Sequence, residues 1–109
     1  MADFTIKQGD TVNALMVTLT TTQADLADAV TVEFVMSDTA FNNKIGRAVD
    51  AFTSPVATVE FTEEELADHG HFLGEFIVTY DDGLAERFPN DGYLTIEILR
   101  NAGTIEIEV

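Results

Sequence analysis

The chain has 109 residues, with no cysteine, 20 acidic and five basic residues, and a formal net charge of −15. This length predicts a single domain, residues 1–109, with a modest hydrophobic core, and the 46% hydrophobic content is typical of a globular protein. The composition excludes disulfides and thiolate metal sites, and the acidity argues against nucleic-acid binding through a basic patch. No apolar run approaches the roughly 18 residues of a membrane span, and MADFTIKQGD lacks the pattern of a signal peptide.

The acidity itself has two interpretations. It provides either an interaction surface for a basic partner or an adaptation of the whole surface to high salt, where carboxylates are screened and hydrated. The acidic residues are spread along the chain rather than gathered in a tail, and lysine occurs only at Lys7 and Lys44. This distribution favours the salt-adapted surface, for which self-repulsion would destabilise the fold in dilute buffer.

Alternation of apolar and polar residues predicts β-strands in the N-terminal half of the chain. A first strand covers residues 4–7, and the connection 22–28 has room for one helical turn. The strand that follows this connection carries on one face Val30, Val32, Phe34 and Met36. The other predicted strands of this half are 12–20, with Leu15, Val17 and Leu19 on one face, and 45–52, after a loop around Phe41.

The segment FTEEELADHG is the best helix candidate of the chain, at about residues 62–69. Thr62 and Glu65 have the spacing of a capping box, acidic residues fill the first turn, and Gly70 ends the segment. Because this segment is only about two turns long, we expect a connecting helix rather than a packing layer.

The C-terminal half also predicts strands at 57–61, 71–80 and 93–99. Their apolar faces are Ala57, Val59 and Phe61 in the first, Phe72, Phe76 and Val78 in the second, and Leu94, Ile96 and Ile98 in the third. Gly74 marks either a bulge or a close approach by another strand, and Asp81-Asp82-Gly83 predicts a hairpin turn into LAERF. The stretch ERFPNDGYLTIEI then predicts a strand, a sharp corner and a second strand. About seven to nine short strands with regular turn signals indicate an all-β fold, an immunoglobulin-like antiparallel β-sandwich, with a small barrel as the alternative.

No residue pattern indicates catalysis. Ser37 and Ser54 lack a nucleophile elbow, and no glycine-rich phosphate loop precedes a helix. His69 and His71 would face one side of an extended segment, but spacing fixes no third metal ligand. Neighbouring carboxylates are expected by chance in so acidic a chain. We therefore predict no catalytic residue, no cofactor and no metal site, and hence no enzyme.

Surface contacts are the remaining source of function. Phe41 lies in a polar loop, where it either covers an open end of the sandwich or anchors a partner. The last residues, TIEIEV, alternate in polarity and either close the chain's own sheet or add a strand to a neighbouring subunit. Residues 104–109 are therefore a candidate strand extension, and the candidate partner contacts are Phe41, Ile105, Ile107 and Val109.

Three stretches resemble a small domain of tailed viruses, the N-terminal domain of the phage baseplate upper protein family. They are FTIKQGDTVNAL, ADLADAVTVEFVM and GHFLGEFIVTYDDGLAERFPNDGYLTIEI, in the order of the family pattern. The resemblance covers most of the chain up to Leu99, whereas residues 37–55 depart from the pattern and the tail beyond Arg100 is extra. The clearest family signature is the corner, whose residues are Arg87, Pro89, Asn90, Asp91, Gly92 and Tyr93.

The resemblance implies an immunoglobulin-like sandwich that serves as a non-enzymatic assembly module of the tail, baseplate or capsid surface. The implied partners are other virion structural proteins and further copies of the chain, arranged by the symmetry of the particle. Nucleic acid and membranes are not among them. The implied location is the virion, after synthesis in the host cytoplasm. Combined with the acidity, the resemblance indicates a tailed virus of a halophilic, haloarchaeal host.

Two hypotheses from other classes compete with this one. A carbohydrate- or receptor-binding module on the virion surface predicts an exposed aromatic platform, which a chain without tryptophan and with only Tyr80 and Tyr93 supports poorly. A metal-dependent enzyme that uses His69 and His71 requires metal in the purified protein.

Overall fold

The computed structural model describes residues 2–103 of the chain. Within this range it contains nine strands and, apart from a single 3-10 turn at Leu26–Asp28, no helix. The strands are β1 (Phe4–Lys7), β2 (Leu15–Thr18), β3 (Ala29–Asp38), β4 (Asn43–Ala48), β5 (Ala51–Thr53), β6 (Val56–Val59), β7 (Gly70–Tyr80), β8 (Ala85–Phe88) and β9 (Leu94–Leu99). The predicted all-β class and number of strands are confirmed.

The strands form two sheets that pack as a sandwich. The larger sheet has six strands in the order β1-β9-β7-β3-β4, with β8 also paired to β7, and the smaller has the order β2-β6-β5. One pair departs from the antiparallel pattern, because β1 runs parallel to β9 with Phe4 opposite Ile96. β1 and β9 are the first and the last strand of the described range. Parallel strands cannot be joined by a hairpin, and here the rest of the domain connects them.

The core is one cluster of buried side chains between the sheets. At its centre the Phe34 ring lies edge-on to Phe61, with 6.0 Å between centroids, and 5.2 Å from the ring of Phe76. The inward faces predicted from alternation are largely confirmed, since the buried residues include Leu15, Leu19, Val32, Met36, Ala57, Val59, Phe72, Val78, Ile96 and Ile98.

Val30 is a position at which the alternation pattern is wrong. The register between β3 and β7 shifts between Ala29 and Thr31, and Val30 is 67% exposed instead of buried. A single extra residue in one strand moves a side chain to the other face, which an uninterrupted alternation cannot reveal.

Gly74 lies in a regular part of β7, opposite Met36 on one side and Leu94 on the other. A Cβ atom at this position would stand 2.9 Å from Cδ1 of Ile96 and 3.2 Å from Cε1 of Phe34. The register shows no bulge at Gly74, and what approaches it closely are side chains of the two adjacent strands, Ile96 of β9 and Phe34 of β3.

The predicted helix at about 62–69 is wrong, because the segment forms a single turn in which the Leu66 amide donates to the Thr62 carbonyl at 3.2 Å. The predicted capping box is present: Thr62 N–H donates to Glu65 Oε1 at 2.9 Å, and Glu65 N–H donates to Thr62 Oγ1 at 3.2 Å. A single turn recovers little of the cost of helix nucleation. In addition, Arg47 of β4 binds the Glu65 carboxylate and holds it towards the sheet.

The candidate strand extension 104–109, with Ile105, Ile107 and Val109, lies outside the described residues. Within residues 2–103, no helix is long and apolar enough to cross a membrane.

Candidate docking site

The loop between β3 and β4 holds Phe41 in an unfavourable backbone conformation. The Asp38 carboxylate accepts hydrogen bonds from the amides of Ala40 at 2.9 Å and Asn42 at 3.0 Å, and from the Asn42 side chain at 3.1 Å. These bonds hold Phe41 at φ 64°, the one positive φ of a non-glycine residue within residues 2–103. A bulky residue is rare in this left-handed region, where glycine or asparagine is accommodated at lower cost.

The corner residues 89–93 bulge out of the large sheet between β8 and β9. Phe88 pairs with Phe76, and Leu94 pairs with Gly74, so that residues 89–93 together stand opposite a single residue of β7. That residue is Glu75. Pro89, which has no amide hydrogen, is suited to the point at which β8 stops pairing.

Hydrogen bonds fix the shape of the corner. The Asn90 side chain donates to the carbonyl oxygen of Arg87 at 2.8 Å and to the carboxylate of Glu86 at 3.1 Å. Gly92 has φ 73°, which glycine adopts without strain, and Tyr93 follows it directly before β9. Asp91 is exposed at the tip. The corner is thus built to project Tyr93 from the sheet.

The structure brings Phe41 and Tyr93 together. Their ring centroids are 5.8 Å apart and the ring planes are inclined by 56°. The rings nevertheless remain in solvent, since Phe41 is 64% exposed and Tyr93 is 45% exposed. Phe41 therefore does not cover an open end of the core, and two separately fixed loops present one aromatic pair, which we call the aromatic pair from here on.

A small cavity lies beneath the aromatic pair, on the outer face of the large sheet. Its volume is about 40 Å³, and its other lining residues are Val35, Ser37, Leu73 and Glu75 from the outward positions of β3 and β7. Arg87 Nη1 lies 3.2 Å from Glu75 Oε1, so the corner and β7 are also joined by an ion pair. The site combines aromatic, aliphatic and anionic groups.

A hydrogen-bond network behind the corner supports this arrangement. The Glu86 carboxylate accepts from the hydroxyls of Tyr80 at 2.8 Å and Thr21 at 3.1 Å, as well as from Asn90. Burial alone would raise the pKa of Glu86, but these hydrogen bonds outweigh it and lower the pKa. Burial and the bond to the carboxylate raise the pKa of Tyr80 to about 12. Glu86 therefore stays ionised and holds the corner against the hairpin.

The two histidines and the acidic residues of a second groove lie apart from the aromatic pair. His71 Nε2 lies 3.6 Å from Glu97 Oε2 on the exposed surface. In the range 2–103, no group of three or more His, Cys, Asp or Glu side chains is arranged to hold a metal ion. The groove at the β7–β8 turn has a volume of about 440 Å³ and collects acidic residues, among them Asp25, Asp28, Asp81 and Asp82.

Sequence reasoning identified Phe41 and Tyr93 separately but not their contact. They are 52 positions apart, and only the pairing of β3 with β7 and of β7 with β9 brings their loops to the same face. The lining residues Leu73 and Glu75 were also missed as part of a site. Their outward positions in the alternation of β7 were the available signal.

No family model, curated protein or solved structure matches the chain.

Proposed function

We propose that this protein is a non-enzymatic structural component of a tailed-virus particle, an assembly module that docks onto other virion proteins through the aromatic pair. The observation that carries the docking role is the exposure of Phe41 in a left-handed backbone conformation. Stability alone would favour glycine or asparagine at that position. An exposed, strained phenylalanine beside an exposed tyrosine is instead what a contact surface requires, because buried aromatic anchors dominate interface energies.

Rigidity of the two loops supports the same role. The Asp38 bonds and the Asn90 bonds fix the backbone of the two loops that carry the rings before a partner arrives. A preorganised surface loses little conformational entropy on binding, so more of the contact energy appears as affinity.

The viral setting rests on the resemblance of the corner and of the two upstream stretches to the baseplate upper protein domain. The partners are then other structural proteins of the tail, baseplate or capsid surface, and copies of the chain follow the symmetry of the particle. The net charge of −15 fits a particle of a halophilic host, because salt screens repulsion between neighbouring acidic surfaces.

Quantitative mass spectrometry of purified particles tests the proposal. The copy number of this chain relative to the major capsid protein distinguishes capsid decoration, with hundreds of copies, from a tail or baseplate component, with at most a few dozen. Absence from the particle would contradict the proposed setting. The variants Phe41→Gly and Tyr93→Ser then test whether the aromatic pair is needed for incorporation into particles. Val12→Ser, at another exposed apolar position, is the control and should incorporate normally.

The C-terminal segment is a second candidate contact. Deletion of residues 104–109 should abolish incorporation while the chain remains a folded monomer. An unfolded deletion product would show that the segment belongs to the chain's own sheet instead.

The aromatic pair also bears on the alternative, a carbohydrate- or receptor-binding module. Exposed aromatic rings favour it, but the 56° between the planes prevents one face of a sugar ring from stacking on both. Binding to a glycan array by the isolated protein, lost in Tyr93→Ser, would support this alternative over protein docking.

A further inference from the structure

The cavity beneath the aromatic pair is built for a positively charged side chain. We propose that it receives the ε-ammonium end of a lysine from a different protein of the assembly. This inference rests on the proposed docking function and names the chemistry of the partner at that site.

The size of the cavity sets the first limit. A volume of about 40 Å³ is several times the roughly 10–15 Å³ that one water molecule requires. It therefore has space for a few heavy atoms, such as the terminal methylene and ammonium groups of lysine. The planar fork of an arginine guanidinium is wider and demands bidentate partners, which the single carboxylate of Glu75 does not offer while it is bound to Arg87.

The chemistry of the walls sets the second limit. The rings of Phe41 and Tyr93 attract a cation through their π-electrons, and Val35 and Leu73 offer apolar surface for the aliphatic stem. Glu75 supplies the negative charge. Arg87 contacts its Oε1 at 3.2 Å and neutralises part of this charge, whereas its Oε2 accepts no hydrogen bond within residues 2–103 and is the oxygen that the ammonium group would use.

The charge of the chain indicates that the lysine comes from another protein. With five basic residues against 20 acidic ones, a second copy offers few cations for a direct contact, whereas a basic partner offers many. The chain has two lysines, and Lys44 already lies 3.7 Å from Asp68. Lys7 is the remaining lysine, and its use by a second copy is an outcome that the experiment must separate.

The first experiment titrates the full-length protein with Nα-acetyl-lysine methylamide and follows the ring signals of Phe41 and Tyr93 by NMR. We expect saturable shifts, a roughly tenfold weaker affinity in Glu75→Gln, and little change in Glu33→Gln. Glu33 is a matched control because it carries the same charge as Glu75 and is exposed on the same outward face of β3 as the cavity residues Val35 and Ser37. Equal weakening by both variants would overturn the proposal, because it would indicate unspecific attraction to the acidic surface.

Two analogues test the identity of the ligand. The norleucine analogue, which lacks the charge, and the arginine analogue should each bind more weakly than the lysine compound. If the norleucine analogue binds as tightly as the lysine compound, the cavity is a purely apolar contact. If the arginine analogue binds more tightly than the lysine compound, the cavity accepts a larger group than its proposed size allows. Either result overturns the proposal.

The second experiment is zero-length cross-linking of carboxylates to amines in purified particles. The cross-linked peptides are identified by mass spectrometry. We expect Glu75 to be joined to a lysine of another protein. A link to Lys7 of a second copy would overturn the choice of partner. If Phe41→Gly and Tyr93→Ser block incorporation while Glu75→Gln does not, the docking function stands and the lysine site is wrong.

Discussion

Arg47 of β4 binds Glu65 through two hydrogen bonds, from Nε to Oε2 at 2.7 Å and from Nη2 to Oε1 at 3.1 Å. The same guanidinium donates to the carbonyl oxygen of Glu60 at 2.9 Å and to the Asp50 carboxylate at 3.0 Å. Since β4 is the edge of the large sheet and Glu60 directly follows β6 of the small one, a single side chain joins the two layers.

Replacement of this arginine should therefore destabilise the fold. Arg47→Met retains much of the aliphatic stem but leaves the Glu60 carbonyl without this donor and the Glu65 carboxylate with the Thr62 amide alone. We expect a loss of about 2 kcal/mol in the free energy of unfolding. Urea unfolding at fixed salt measures it. The control, Lys44→Gln, removes the exposed pair with Asp68 and should cost less than about 0.5 kcal/mol. Equal losses would show that Arg47 acts only as a general positive charge.

The same pair predicts a pH dependence. Burial raises the pKa of Glu65, but the bonds from Arg47 and Thr62 outweigh it, so that the folded pKa lies below the ordinary value of 4.5. A carboxylate with a lowered folded pKa stabilises the protein above its unfolded pKa, and the contribution is lost as pH falls through the folded pKa. The stability difference between the wild type and Glu65→Gln should therefore be largest near neutral pH and shrink below about pH 4.5.

That difference is the useful quantity, because acid also relieves the general repulsion among carboxylates in both proteins equally. Urea unfolding of both proteins from pH 7 to pH 3 measures it. A difference that stays constant over this range would show that Glu65 is not linked to folding through its charge.

Gly74→Ala tests the close packing at the centre of the sheet. The added Cβ would meet Ile96 Cδ1 at 2.9 Å, and Ile96 and Phe34 are too deeply buried to move aside easily. We expect a loss of about 1–3 kcal/mol in the free energy of unfolding. Ile96→Val removes Cδ1, so the double variant should be more stable than the sum of the two single losses predicts. Simple additivity in thermal or urea unfolding would contradict the predicted contact.

The fold was predictable from sequence where apolar and polar residues alternate regularly along a strand. Phe72, Phe76 and Val78 lie on the predicted buried face of β7, because a half-buried strand imposes a period of two. Val30 escaped prediction, since the bulge that exposes it depends on the partner strand. The helix prediction for 62–69 was wrong because Thr62 and Glu65 provide the local signal for a helix start. The length of the helical segment, however, depends on the contact of Glu65 with Arg47 of a distant strand.

The candidate site was predictable only in parts. A polar loop around Phe41 and a corner before Tyr93 are local features, visible in the sequence. Their meeting depends on how β3, β7 and β9 pair, and on Glu75 being the single residue opposite the corner. Long-range pairing of this kind leaves no trace in a local pattern, and the cavity beneath the rings was therefore missed.

The net charge of −15 predicts that salt stabilises the fold. The Debye length falls from about 10 Å at 0.1 M to about 3 Å at 1 M salt, so repulsion between carboxylates should decrease over this range. Urea unfolding midpoints should rise as KCl increases from 0.1 to about 2 M. The variant Glu63→Gln/Glu64→Gln/Asp82→Asn, at three exposed positions, should show a shallower rise. A midpoint independent of salt in both proteins would remove the support for the salt-adapted surface.

Phe41 should be dispensable for folding and indispensable for docking. Phe41→Gly relieves a left-handed strain of about 1–3 kcal/mol but loses a ring contact of about 0.5–1.5 kcal/mol and gains flexibility in the unfolded chain. The free energy of unfolding should therefore change by less than about 1 kcal/mol. Phe41→Ala loses the ring but keeps the strain, so it should be less stable than Phe41→Gly, an inversion that urea unfolding of the two variants measures.

Both variants should fail to incorporate into particles, because neither presents the aromatic pair. A decrease of more than about 2 kcal/mol in the free energy of unfolding of Phe41→Gly would be typical of a packed core residue. It would contradict the interpretation of Phe41 as a contact residue. If both variants incorporate normally, the strained conformation has no role in docking, and the assembly contact lies elsewhere on the molecule. The stability and incorporation measurements together therefore separate a structural role of Phe41 from a functional one.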